Sequence, residues 1–144
     1  MGSDHTTCFW EVFWESVQSS GTELRIGKGK LAERSVFKAK LKRTIRVFDA
    51  ADPAQLKLIG ANGVGCFNGS YAIARSWAAR LYEADPRLDG IRFPSARGGI
   101  GVNLALFGGR VRPEDITFER KAIPLLRDVE IMNLLLQEKI ALIK

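Results

Sequence analysis

One histidine, two cysteines and no long apolar run narrow what this 144-residue chain can be. His5 is the sole imidazole and Cys8 and Cys66 stand far apart, so spacing builds neither a zinc site nor a disulfide framework. Both cysteines read as free, packed thiols, and no metal is expected. A histidine beside the N-terminus also removes most metal-hydrolase schemes and any Ser–His pair drawn from the body of the chain. His5 itself reads as a surface residue. No window approaches 18 uncharged apolar residues, and MGSDHTTCFW has neither the basic start nor the cleavage site of a secretory signal. A membrane span is therefore not expected, and a cytoplasmic location follows by default. The glycine-rich stretch Gly60 to Gly69 lacks GxGxxG and GK[ST], which excludes a dinucleotide fingerprint and a P-loop and leaves a mobile loop.

What is present describes one globular domain spanning 1–144, with 46% hydrophobic and 26% charged residues and three tryptophans. The net charge of +6 is concentrated between Arg25 and Arg46, where nine Lys or Arg residues meet a single acid, Glu33. Such a segment can contact nucleic-acid phosphates. However, Phe37, Ala39 and Leu41 alternate with Lys38, Lys40 and Lys42, the pattern of a half-buried strand with a solvated lysine face. The strand reading is preferred, and direct nucleic-acid binding is not expected.

Asp4, Thr6 and Thr7 offer N-cap oxygens to a helix running to about Ser19, with Phe9, Phe13 and Val17 on one stripe and Trp10 and Trp14 beside it. GTELRIGKGK reads as a glycine-interrupted loop, followed by strands over Ser35–Lys42 and Thr44–Phe48. Asp52-Pro53 starts a short helix through Leu58. From Ser70 a longer helix carries Ile73, Trp77 and Leu81 at one-turn spacing and ends before Asp85-Pro86. Strands follow from Gly90, over Val102–Phe107 and over Ile116–Ala122, and Arg127–Lys144 reads as a closing helix. With no regular βαβ alternation, the order predicts an α+β fold, helices packed on a small mixed sheet.

Two places carry chemistry. Glu11 shares its helix face with Glu15, and among so many aromatics a partly buried Glu11 is a candidate acid, base or cation stabiliser. Gly90 to Val102, GIRFPSARGGIGV, reads as a strand delivering a polar turn, where Gly98, Gly99 and Gly101 would let a ligand approach the backbone. Ser95 is no hydrolase nucleophile, because FPSARG is not GxSxG and no internal histidine takes its proton. Ser95, Arg97 and the glycine amides suit a phosphate or ribose, and Asn103 adds an amide. A tight solvated connection between two strands fits the same residues.

Four stretches, TTCFWEV, IRVFDAADPAQLKLIG, SYAIARSWAARLYEADPRLDGI and FPSARGGIGVNLALF, together resemble the RES domain family, named for an arginine, a glutamate and a serine. They span about Thr6 to Arg110. The resemblance implies a toxin of a bacterial toxin–antitoxin pair, with a fold similar to ADP-ribosyltransferases, that consumes NAD by cleaving the nicotinamide–ribose bond. Hydrolysis, phosphorolysis and transfer to a protein all fit, as does a non-catalytic module that only binds a partner. A cognate antitoxin is the implied partner, and homo-oligomers are compatible. Carried over, the family glutamate falls on Glu11, with Glu15 as the alternative register, and the family serine on Ser95; Ser95, Arg97 and Asn103 would hold NAD. The family places its arginine before the glutamate. Only ten residues precede Glu11 here, so the domain is expected to be short at its N-terminus and to lack the arginine segment.

Overall fold

The computed structural model describes residues 2–63, 67, 70–97, 101–119 and 121–144. Cys66, Gly98, Gly99 and half of the glycine-rich stretch 60–69, read above as a mobile loop, lie outside the described residues.

Asp4, in extended backbone, accepts the Thr7 N–H at 2.7 Å and so starts α1, His5–Phe13. The helix is shorter than expected. Ser16 and Val17 both donate their N–H to the Phe13 carbonyl, closing the last turn, and Gln18–Ser20 is strand β1. The expected loop that follows is instead strand β2, Glu23–Gly27, and a short helix α2, Lys28–Ala32. Ser20 pairs with Glu23 across a two-residue turn in which Gly21 has φ +64°, the backbone such hairpins demand. The C-terminal segment differs too. Helix α5 covers only Val129–Gln137, Lys139 has φ 53°, and Ile140–Ile143 forms a strand. That strand, β10, runs parallel to β2 with Ile140 opposite Leu24, completing the sheet β1-β2-β10. Phe9, Trp10 and Phe13 of α1 pack with Ile26, Leu31, Ile131, Leu134 and Ile140 in a first core.

A second core lies against the sheet β5-β6-β7. Strands β5, Val47–Asp49, and β6, Gly90–Pro94, are parallel, and β7, Val102–Leu106, runs antiparallel to β6. Between β5 and β6 come α3, Pro53–Leu58, capped by Asp52, and α4, Tyr71–Ala84. Both helices match their sequence signals. Leu81 is buried with Phe48, Leu56, Leu88 and Ile91 and Trp77 packs against them, whereas Ile73 on the same stripe is exposed, so α4 meets the core from its middle to its C-terminal end.

The expected strands over 35–42 and 44–48 are broken into pieces, because their neighbours differ. Strand β3, Ser35–Val36, pairs with β9, Ile123–Pro124; β4, Ala39–Leu41, pairs with β8, Ile116–Phe118. Lys38, Lys40 and Lys42 are exposed as expected, but Phe37 and Ala39 are exposed as well. Phe37 packs edge-to-face on Phe118, with ring centroids 4.8 Å apart, rather than into a core. The fold is α+β, with mixed pairing divided among four small sheets of the described residues instead of one.

Candidate functional site

The first turn of α1 docks on the start of β7. Ser3 donates its N–H to the Val102 carbonyl at 2.8 Å, its hydroxyl accepts the Val102 N–H at 3.1 Å, and Gly2 bridges Asn103. Gly101 makes this possible: a side chain there would overlap Thr7 and crowd Asp4. The glycine was expected to admit a ligand, and it admits a helix instead. Thr7 is almost fully buried, with its hydroxyl bonded to Asp4 Oδ2 at 2.9 Å. Burial raises the Asp4 carboxyl, but hydrogen bonds from the Ser3 hydroxyl, the Thr7 N–H and the Thr7 hydroxyl, with nearby His5, outweigh it and hold it below its usual range.

One turn after Thr7, Glu11 is delivered to the β6–β7 connection. Ser95, just past β6, donates its hydroxyl to Glu11 Oε1 at 2.7 Å, across 84 residues of sequence. Asn103 of β7, only 5% exposed, donates its Nδ2 to the same oxygen at 2.7 Å. Two donors on one oxygen leave Oε2 without a hydrogen bond from any described residue. The arrangement holds a half-buried carboxylate in one orientation by two hydrogen bonds to a single oxygen. Ser95 is itself fixed locally, its N–H donated to the Gly101 carbonyl at 2.9 Å and its oxygen accepting the Arg97 N–H at 3.3 Å.

Sequence reasoning therefore named three side chains that the fold brings together: Glu11, Ser95 and Asn103. Arg97 stands apart from them. Its guanidinium lies 3.6 Å from Glu15 Oε1, a largely solvated pairing just past the end of α1. Glu15, the alternative register, touches neither Ser95 nor Asn103 among the described contacts. His5 is corrected from surface residue to half-buried tie. Its Nδ1 lies 3.1 Å from Asp128 Oδ1 and 3.2 Å from Glu130 Oε2, joining the start of α1 to the start of α5. Asp128 also caps α5 by accepting the Ile131 N–H at 3.0 Å. An aspartate three residues ahead of an apolar helical run was the missed signal for it.

A cavity of about 810 Å³ opens between the start of α1, the β3–β4 connection and the β5–β7 sheet. Asn103 is among its lining residues, whereas Glu11 and Ser95 are not. Arg92 also lines it, bonded to Asp49 Oδ2 at 2.6 Å. Cys8 is a free, half-buried thiol on the same wall. Among the described residues no three His, Cys, Asp or Glu side chains are grouped to hold a metal ion, and no helix is long and apolar enough to cross a membrane.

A family model described as the RES domain matches residues 1–128. No curated protein and no solved structure matches the chain significantly.

Proposed function

Because the chain belongs to the RES domain family, we propose that it is the toxin of a bacterial toxin–antitoxin pair and degrades NAD at Glu11. The observation that carries the reading is the convergence of Ser95 and Asn103 on one oxygen of Glu11, each at 2.7 Å. In this reaction the bond from ribose C1′ to the nicotinamide nitrogen breaks, and its electron pair leaves with nicotinamide. The ribose passes through an oxocarbenium-like state. A carboxylate already immobilised stabilises that charge without reorganising, and its second oxygen is available to the ribose 2′-hydroxyl. Ser95 acts as a donor that orients the carboxylate, not as a nucleophile. Water or phosphate then adds at C1′. The reading carries with it a fold similar to ADP-ribosyltransferases and a cognate antitoxin that restrains the activity in the cytoplasm.

Purified protein is expected to consume NAD, and Glu11→Ala to lower that rate by about 10²–10⁴-fold. Unchanged turnover in the variant would overturn the assignment of Glu11. The product separates the chemistries: free ADP-ribose marks hydrolysis, a phosphorylated ADP-ribose marks phosphorolysis, and label retained on protein marks transfer.

A further inference from the structure

The backbone hydrogen bonds of the ribbon that carries β3 and β4 all point one way. Leu125 donates its N–H to the Arg34 carbonyl, Glu119 donates to the Lys38 carbonyl, and Lys42 donates to the Asp115 carbonyl. Bonded residues alternate along an antiparallel pair. With Val36 opposite Ile123 and Lys40 opposite Thr117, the backbones of Arg34, Val36, Lys38, Lys40 and Lys42 therefore face β9 and β8. The N–H and C=O groups of Ser35, Phe37, Ala39 and Leu41 face the other side. Among the described residues no strand pairs there, because β3-β9 and β4-β8 are each two-stranded. Beside this edge lies the cavity of about 810 Å³, which takes five consecutive residues, Ser35 to Ala39, into its lining. A strand met face-on contributes alternate residues, so an unbroken run is what a strand edge presents.

The side chains along the edge fall into two classes. Lys38, Lys40 and Lys42 share one face, are exposed, and form no ion pair with any described residue. Across the ribbon on that face stand Glu119 and Asp115, and Asp115 already lies 3.6 Å from the Arg43 guanidinium. The opposite face carries Phe37 and Ala39 with Phe118, all exposed. Lysines on an open edge repel a second copy of the same edge, since any self-pairing sets lysine beside lysine. The same lysines favour a strand of opposite charge. We propose that the 35–41 edge docks an extended segment of another protein, which adds as a third strand and alternates acidic residues, beside the lysines, with apolar ones, beside Phe37. The proposal needs neither NAD turnover nor the family assignment.

Fluorescence anisotropy of the full chain with a labelled hexapeptide of alternating glutamate and valine tests it. The peptide should bind saturably, and its counterpart with lysine in place of glutamate should not. N-methylation of one alternate set of peptide amides should abolish binding while methylation of the other set is tolerated, because only one set faces the edge. The double variant Lys38→Glu, Lys40→Glu should weaken the glutamate peptide about tenfold or more and admit the lysine peptide; an unchanged urea midpoint shows that its fold is intact. By NMR, amide exchange at Phe37, Ala39 and Leu41 should slow on adding the peptide, with no change at Lys40, whose N–H already faces β8. No saturable binding of the glutamate peptide at millimolar concentration, equal binding of the lysine peptide, or equal effects of the two methylation sets would each overturn the proposal. So would protection of Phe37 and Ala39 that grows with protein concentration in the absence of peptide, which would assign the edge to a second copy of this chain. None of these readouts involves Glu11, so this proposal and the NAD reading fail separately.

Discussion

Gly101 and Thr7 are packed so closely that one added methyl on the glycine would overlap the Thr7 hydroxyl. Thr7 is only 1% exposed and bonded to Asp4, so it has nowhere to yield. Gly101→Ala is therefore expected to cost about 1–3 kcal/mol and to lift α1 off β7. Glu11 would lose Ser95 and Asn103 with it. Urea unfolding measures the first effect and NAD turnover the second. Gly108→Ala, where nothing lies within 4 Å of the added carbon, is the control. Equal losses at both positions would show that packing against Thr7 is not the cause.

The carboxyl of Asp85, at the end of α4, is held down to about 2 from an ordinary 3.8, first by the Arg87 side chain and then by the Arg87 N–H. A folded-state value below the unfolded one contributes stability that is complete above about pH 4 and is lost as the pH falls toward about 2. Arg87→Ala should return the carboxyl toward 3.8 and remove that part of the acid sensitivity. Carbon-detected NMR titration reads it directly. A wild-type Asp85 titrating at 3.8 would contradict the geometry.

Lys139 occupies a left-handed backbone, φ 53°, where α5 ends and β10 begins. A side chain pays for that conformation and glycine does not. After the greater flexibility of glycine in the unfolded chain is subtracted, Lys139→Gly should stabilise by about 0.5–1 kcal/mol. A lower denaturation midpoint would refute this.

Trp10 is 6% exposed, and its Nε1 has no hydrogen-bond partner among the described residues. Removing an unpaired buried donor recovers part of what the smaller ring loses. Trp10→Phe should therefore cost less than about 1.5 kcal/mol, against about 3–5 kcal/mol for Trp10→Ala. Comparable losses for the two in thermal unfolding would mean that the indole N–H is satisfied.

Much of the fold was written in local chemistry. Asp4 and Asp52 announced their helices because an N-cap needs only a side-chain oxygen and the next few amides. Strands β2 and β10 were hidden for the opposite reason. Leu24 and Ile140 stabilise each other across more than a hundred residues, and the apolar run that ends the chain suits a helix as well as a strand until its partner is known. At the site, residue types were legible and distances were not. Glu11, Ser95 and Asn103 were each nameable, yet their meeting depends on α1 docking against β7. Gly101 shows the limit most sharply: a missing Cβ says that something comes close, and it does not say whether that is a ligand or a helix. His5 was misjudged because Asp128, its partner, lies 123 positions away.

Helix α1 belongs to one hydrophobic core, while Ser95 and Asn103 ride on the sheet that covers the other. The two bonds to Glu11 thus work as a clasp across a seam. Each half can keep its own interior intact while the seam parts, and the carboxylate would then lose both donors in one motion without any unfolding. Amide exchange at Val102, whose N–H is held by Ser3 across the same seam, should therefore run faster than exchange at Ile91 inside the sheet. Equal protection at the two amides would mean that the halves open only together.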